Sequence, residues 1–347
     1  MSDLGPYRAG LAGLVILAVG IGLLSAPGAA DAQTRLKYLT GARELTMIPV
    51  FVAEDQGYFR NQGLALEITL MPGAPLVISG VVGGDAAFGQ PAIPALLRAV
   101  QGGLTVLMVA NFFDRHTQVG VIRKEALPPG MTPETYLALP LDERVRVLKG
   151  RKLGIAGVGG LVDVVSRFLV RWAGLNPDLD VDLVNVGNTP AMLGAIRARR
   201  IDAFLLTPPI PFQVERDGIA IVYYSGPRGD LPALRELYST VLVTAPAYAQ
   251  RHPEIVRKMA RSIAQANAYA RQQREATAAL MHRLFPQIEP EVVRQSTLAV
   301  IDALSPDARF SARAIAQQIR ILMDGGFLSK KPIPAEEGTF WTNRFLD

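Results

Sequence analysis

The sequence of 347 residues contains no cysteine. This absence excludes disulfides, cysteine nucleophiles and metal sites built on thiolates. Histidine is almost as scarce: His116, His252 and His282 are the only three, and they lack the close spacing of metal ligands. The chain also lacks a GxSxG nucleophile motif. We therefore expect no catalytic residue, no metal and no cofactor.

Excess charge of one sign is small, since the formal net charge is only +5. Basic residues are spread over predicted helix surfaces, as at Arg197, Arg199 and Arg200, and do not cluster with aromatic residues. A nucleic-acid partner is therefore not expected. The positive mean field would still help to attract an anionic ligand.

The N-terminus has the layout of a secretory signal peptide. Arg8 precedes an apolar run over residues 9–24, and Pro27 and the small-residue site Ala30-Asp31-Ala32 follow. This order predicts a signal peptide at residues 1–32 and a periplasmic mature protein. An uncleaved membrane anchor is the alternative, although the run is near the short end for spanning a bilayer.

Strand-like runs alternate with helical patterns up to Thr244, and residues 252–326 then read almost entirely as helix. The alternation predicts an α/β protein with parallel sheets that are covered by helices on both faces. The late helices would not be stable alone and should pack on an earlier sheet. The strand candidates are residues 36–40, 64–70, 86–88, 105–111, 152–156, 182–186, 203–206, 221–225 and 240–244.

Two passages of the chain resemble each other. Residues 85–91 and 202–208 both begin with Asp-Ala and reach a proline six residues after the aspartate. Each passage follows a helical segment with small residues. We infer that each half of the molecule contains the same unit, a short buried strand that ends in a proline turn.

Ligands of open α/β sheets bind beyond the carboxyl ends of strands, where the first N–H groups of helices are free. Each such segment also has a plainer interpretation as a turn, a surface residue or core. Arg43, Arg115 and His116 could neutralise an anion. The candidate ligand-binding residues are Ala42, Arg43, Glu44, Gln90, Pro91, Asn111, Phe112, Gly157, Gly159, Gly160, Thr207 and Pro208.

One segment carries a family resemblance. Residues 49–59 read PVFVAEDQGYF, and similar short motifs follow at 84–91, 148–155, 201–203 and 248–254. In this order the motifs resemble the periplasmic solute-binding proteins of the aliphatic-sulfonate, nitrate and taurine uptake group, the NMT1/THI5-like family.

The resemblance implies a type II periplasmic-binding-protein fold, with two doubly wound lobes joined by two crossover strands. Lobe I would comprise residues 35–117 and 241–347, and lobe II residues 118–240. The residues 128–140 depart from the family pattern and receive no role.

The resemblance also implies a receptor that delivers a small, anionic molecule to an ABC transporter permease, and we expect a monomer. A sulfonate, nitrate, a carboxylate or a neutral aromatic compound all remain possible ligands. A secreted sensor for a membrane receptor is one alternative. An enzyme like the pyrimidine-synthesising branch of the family is another, but that branch has a cysteine-rich motif and this chain has no cysteine.

We predict that the exported protein is cleaved after Ala32, because small residues flank that bond behind the apolar run. The intact mass of the protein from its native host measures the cleavage site directly. A mature form that retains Met1 would contradict both the signal peptide and release from the membrane.

Overall fold

Residues 33–347 are described by a computed structural model. The predicted signal peptide, residues 1–32, lies outside the described residues. The described part of the chain contains ten strands, numbered here in chain order. They are β1 (Thr34–Thr40), β2 (Leu64–Leu70), β3 (Phe88–Gln90), β4 (Leu107–Asn111), β5 (Val119–Arg123), β6 (Lys152–Ile155), β7 (Asp182–Asn185), β8 (Ala203–Leu206), β9 (Ala220–Ser225) and β10 (Val241–Thr244).

The strands form two five-stranded sheets with matching topology. The first sheet has the order β2-β1-β3-β10-β4 and the second β7-β6-β8-β5-β9. In the first, β1 runs parallel to β2 and β3, whereas β10 runs antiparallel to β3 and β4. In the second, β6 runs parallel to β7 and β8, whereas β5 runs antiparallel to β8 and β9.

The sheets are therefore mixed, and the expectation of parallel sheets is wrong at one strand in each. The antiparallel strands are those that cross between the halves: β5 follows β4 of the first sheet, and β10 follows β9 of the second. Each enters its sheet directly from the other sheet, without the crossover helix that reverses the chain between neighbouring parallel strands. The boundaries of the predicted lobes, at residues 117/118 and 240/241, remain predictions.

Fourteen α-helices occur in residues 33–347. They are α1 (Ile48–Asp55), α2 (Tyr58–Asn61), α3 (Ala74–Val82), α4 (Ile93–Gln101), α5 (Pro133–Leu137), α6 (Leu141–Arg146), α7 (Leu161–Trp172), α8 (Thr189–Arg197), α9 (Ile210–Arg216), α10 (Pro246–Arg251), α11 (Pro253–Gln272), α12 (Arg274–Leu284), α13 (Pro290–Ile301) and α14 (Ala312–Asp324). Short 3-10 helices lie at Leu45–Met47, Lys124–Ala126 and Pro232–Leu234.

The two similar passages occupy equivalent places. Residues 85–91 contain β3 and residues 202–208 contain β8, each the third strand in its sheet. Each is bonded on one side to a parallel strand and on the other to the crossing strand. The repeated sequence pattern therefore corresponds to a repeated position in the fold.

The late helices pack on the first sheet, as predicted. Helix α11 buries Met259, Ile263 and Ala266 in the same apolar cluster as Val109 of β4 and Leu242 of β10. This burial supplies the stability that the helices would lack alone. The first sheet and its helices thereby bring the segment after α12 to one end of the cavity described below.

We predict opposite stability effects for alanine at two glycines. A Cβ at Gly89 of β3 would lie 2.8 Å from Val77 and 2.9 Å from Val81 of α3, so Gly89→Ala should cost about 1–3 kcal/mol through overpacking. Gly194 is exposed within α8 with open space around a Cβ. Gly194→Ala should add about 0.4–1 kcal/mol. Denaturant unfolding of both variants tests this, and destabilisation by Gly194→Ala would contradict it.

Candidate functional site

A cavity of about 550 Å³ lies between loops of the two sheets. Four stretches of chain form it: the loop after β1, the start of α8, the loop between β8 and α9, and the segment from α12 into α13. Ten of its sixteen lining residues are apolar. The lining residues are Ala42, Arg43, Glu44, Leu45, Asn188, Thr189, Pro190, Leu193, Thr207, Pro208, Pro209, Ile210, Phe285, Gln287, Ile288 and Val293.

The topology explains why these stretches meet. Strands β1 and β8 are interior strands of their sheets, and the loops at their carboxyl ends continue into helices. Helices α9 and α13 pack against each other, with Phe212 of α9 and Val292 of α13 in one apolar cluster. This helix contact brings the start of α13 from the first half to the start of α9 from the second. The cavity is the space that remains between them.

The charged groups of the cavity are Arg43 and Glu44. The Arg43 guanidinium lies 5.0 Å from the ring centroid of Phe51, which is cation–π distance. Burial raises the pKa of Glu44, while a hydrogen bond that Thr46 Oγ1 donates to Glu44 Oε1 at 2.9 Å opposes the rise. A carboxyl in apolar surroundings loses part of its tendency to ionise. The cavity thus has one exposed cation beside one partly buried acid.

Two further polar side chains have their positions fixed by hydrogen bonds. Asn188 Oδ1 accepts from the N–H of Ala191 at 3.0 Å and caps α8. Thr207 Oγ1 lies 2.8 Å from Thr117 Oγ1, at the entry to β5. The Asn188 cap of α8 uses only the side-chain oxygen, so the amide nitrogen of Asn188 remains available to a ligand. These groups can orient a polar part of a ligand against the apolar walls.

Five of the twelve candidate residues line this cavity: Ala42, Arg43, Glu44, Thr207 and Pro208. They come from both halves of the molecule, from the loop after β1 and the proline turn after β8. The structure therefore brings two of the predicted segments together. Contact between these side chains and a ligand remains a prediction.

Gln90 and Pro91 are not among the residues that line the cavity. Gln90 is buried; its Nε2 donates to the carbonyl of Thr46 at 2.8 Å and its Oε1 accepts from the Tyr38 hydroxyl at 2.9 Å. The carbonyl of Pro91 accepts from the N–H of Val241 at 3.4 Å. The Gln90 amide therefore supports the segment that carries Glu44 and Leu45, and does not face the cavity.

Asn111 and Phe112 lie in the core of the first half and are fully buried. Asn111 Nδ2 donates to Asp114 Oδ1 at 2.8 Å, and Phe112 belongs to the apolar cluster around α11. Of the alternatives that the sequence left open for Phe112, the structure places it in the core. Neither residue lines the cavity.

Within the glycine loop at 157–160, Gly159 is covered by a side chain from the first half of the molecule, whereas Val158 and Gly160 are exposed. A Cβ at Gly159 would overlap Nη1 of Arg98 from α4, and Gly159 has a φ of +73°. Its N–H donates to the buried Asp163 carboxylate at 2.8 Å. Gly157 and Gly160 lie on the same turn, in which the Gly160 N–H donates to the Gly157 carbonyl at 3.3 Å. These contacts are those of a strand–helix turn, and a ligand-binding role for the loop remains a prediction.

The start of α8 and residues 285–293 are the cavity segments that sequence reasoning missed. Thr189-Pro190 is readable as a helix start, yet nothing local indicates that it faces a cavity. Phe285, Ile288 and Val293 look like ordinary apolar helix residues. Only the packing of α13 on α9 brings them to the site.

The prediction that His116 could neutralise an anion is wrong. Its ring is fully buried and stacked on Tyr224, with Nε2 2.6 Å from the Tyr224 hydroxyl and Nδ1 2.9 Å from Gln118 Oε1. Burial lowers the pKa of His116 to about 4. The imidazole is therefore neutral at physiological pH. Arg115 lies outside the 550 Å³ cavity, in a second cavity described below.

Two mixed sheets that are joined by two crossing strands, with a cavity between their loops, are the periplasmic-binding-protein fold. The chain belongs to the NMT1-like family, whose model matches residues 38–285. It is 28% identical over 234 residues to the 4-amino-5-hydroxymethyl-2-methylpyrimidine phosphate synthase THI5 of Saccharomyces cerevisiae, a match that covers 64% of this chain. The matched region spans 62% of the length of that relative.

Two solved structures illustrate the fold. The alkanesulfonate-binding protein SsuA from Xanthomonas axonopodis pv. citri, bound to MOPS, is 18% identical with a TM-score of 0.65, covering 88% of this chain and 96% of that one. The periplasmic nitrate-binding protein NrtA from Synechocystis PCC 6803 is 14% identical with a TM-score of 0.67, covering 87% and 84%. Within residues 33–347, no helix combines the length and apolar character that a membrane span requires.

We predict that His116 makes stability depend on pH. Its folded pKa of about 4 lies below the usual value of 6.5, so the unfolded chain binds the proton first. The free energy of unfolding should therefore fall as pH drops below about 6.5, on the order of 1 kcal/mol per pH unit. His116→Asn should flatten this slope between about pH 6.5 and 5, before carboxylates titrate. The same substitution at exposed His252 is the control, and equal slopes for both variants would contradict the prediction.

Proposed function

We propose that the protein is an extracytoplasmic solute-binding receptor, which captures a small molecule in the 550 Å³ cavity and delivers it to an ABC importer. The observation that carries this proposal is the cavity itself, because its walls come from loops of both sheets. A ligand there would contact both halves of the molecule at once. That arrangement couples binding to the relative position of the halves.

The lining favours a ligand with an apolar body and one polar group. Leu45, Leu193, Ile210 and Phe285 offer apolar surface, and the cavity is large enough for a molecule well beyond the size of an inorganic ion. Arg43 could pair with a single acidic group. Among the ligand classes that the sequence left open, an organic sulfonate, a carboxylate or an aromatic compound fits these walls better than nitrate.

Periplasmic location and an ABC permease partner are parts of this proposal. They rest on the signal peptide pattern and on the likeness in fold to periplasmic binding proteins. The sensor alternative shares the same binding step and differs only in the membrane partner.

An enzymatic function is the second candidate, and the match to the yeast pyrimidine phosphate synthase favours it. The two hypotheses differ in what becomes of the bound molecule. A receptor releases its ligand unchanged, whereas an enzyme releases a product.

We predict that protein purified from its native periplasm retains one small molecule per chain, and that Leu193→Trp retains at least tenfold less. The indole would fill the cavity between α8 and the loop after β1. Leu179→Trp is the matched control, because Leu179 is 83% exposed and does not line the cavity. Native mass spectrometry measures the bound molecule, and a thermal melt checks that both variants fold.

One outcome would contradict the cavity as the binding site, and another would contradict the receptor function. Equal ligand retention by Leu193→Trp and Leu179→Trp would place binding elsewhere. Conversion of the released compound on incubation with fresh protein would favour the enzyme, which mass spectrometry detects as a new species.

A further inference from the structure

A second cavity, of about 650 Å³, is lined almost entirely by charged side chains. It shares no lining residue with the 550 Å³ cavity. Five arginines face two aspartates, so positive charge is in excess even when neighbouring Asp114 is counted. The lining residues are Arg115, Arg228, Gly229, Asp230, Arg235, Arg271, Arg274 and Asp302. We call this cavity the arginine cleft.

The arginine cleft is built from both halves of the molecule. Arg115 follows β4, and Arg271 and Arg274 lie at the junction of α11 and α12, which pack on the first sheet. Arg228 and Arg235 lie in the segment after β9 of the second sheet. A ligand in the arginine cleft would therefore contact both halves of the molecule. A ligand in the 550 Å³ cavity would do the same at a different place.

Two of the five guanidinium groups are neutralised within the cleft. Arg228 donates from Nε to Asp230 Oδ1 at 3.0 Å and from Nη2 to Oδ2 at 2.9 Å. Arg274 Nη1 donates to Asp302 Oδ1 at 2.8 Å. These pairs account for both aspartates of the lining.

The other three guanidinium groups are held by main-chain carbonyls. Arg115 Nη1 donates to Pro227 at 2.8 Å, Arg235 Nε to Gly229 at 3.0 Å, and Arg271 Nη1 to Leu304 at 2.9 Å. No carboxylate of residues 33–347 forms an ion pair with any of the three. A carbonyl fixes one N–H of a guanidinium but leaves its charge and its other N–H donors available. The cleft thus holds three oriented cations that lack an ion-pair partner, and the charge of one of them, Arg271, interacts with the nearby Asp114 carboxylate.

This arrangement suits a compact oxyanion. Planar guanidinium groups bind phosphate oxygens through paired N–H donors and remain charged at any physiological pH. The eight lining residues include no aromatic side chain on which a nucleobase could stack. We propose that the arginine cleft is a binding site for a tetrahedral oxyanion of the phosphate class, which bridges the two halves through Arg115, Arg235 and Arg271.

Calorimetric titration with inorganic phosphate, at constant ionic strength, tests the proposal. The wild-type protein should bind one phosphate, and Arg235→Ala/Arg271→Ala should bind at least tenfold more weakly. The control is Arg200→Ala/Arg320→Ala, which removes the same two charges from exposed positions outside the cleft. The control should bind phosphate as the wild type does, because the site requires local donors rather than net charge.

Thermal melts without phosphate establish that each variant folds. If Arg235→Ala/Arg271→Ala does not fold, Arg235→Lys/Arg271→Lys replaces it in the titration. The lysine variant keeps both charges but loses the planar donors, so it should also bind phosphate more weakly. Leu193→Trp should bind phosphate normally, which separates this site from the proposed receptor function. Absence of phosphate binding, or an equal loss in the control variant, would overturn the proposal.

A lipid headgroup carries the same phosphate chemistry as the free ion. Sedimentation with phosphatidylglycerol vesicles distinguishes the two sources. Vesicle binding that Arg235→Ala/Arg271→Ala removes and the control retains would support the site with a headgroup as its occupant. Vesicle binding that persists in Arg235→Ala/Arg271→Ala would count against the cleft as the headgroup site.

Discussion

The crossing strands β5 and β10 are the constraint on which the rest of the structure depends. Each lies between two strands of its sheet and is hydrogen-bonded on both sides, and at each the chain passes from one half of the molecule to the other. This double crossing fixes the two sheets near each other. It brings the loops after β1 and β8 to a common space. Both cavities, one apolar and one rich in arginine, lie where loops of the two halves meet.

Contacts other than the crossing strands also join the halves, and one apolar cluster contains buried residues of both. Arg98 rests on the Gly159 turn, Arg216 pairs with Glu289, and Phe212 packs on Val292. An exposed ion pair contributes about 0–1 kcal/mol, because water and salt screen it. A separation of the halves would therefore lose little from the exposed ion pair but would expose apolar surface that the halves share. A ligand that touches both halves could shift such an equilibrium by the difference between its binding free energies to the two arrangements.

The sequence predicts elements more reliably than it predicts their neighbours. Strand-like runs located β2 and β8 within a residue or two, because such runs record where the chain is buried. The direction of a strand does not affect this pattern, so the sequence did not indicate that β5 and β10 run antiparallel to their neighbours. The glycine loop illustrates the same limit. Its composition allows a close backbone approach, but only the fold reveals that Arg98, about sixty residues earlier, occupies that space.

The two cavities separate two kinds of recognition that the sequence could not distinguish. Arg43 looked like the natural partner of an anion, yet it shares its cavity with Glu44 and with ten apolar residues. There, affinity would come chiefly from apolar surface removed from water, at roughly 25 cal/mol per Å². The arginine cleft offers three cations that form no ion pair within residues 33–347, and little apolar surface. A small inorganic oxyanion would gain most of its binding free energy in the arginine cleft, whereas an organic molecule would gain most in the apolar cavity. The positive net charge of the chain therefore need not indicate the charge of the transported ligand.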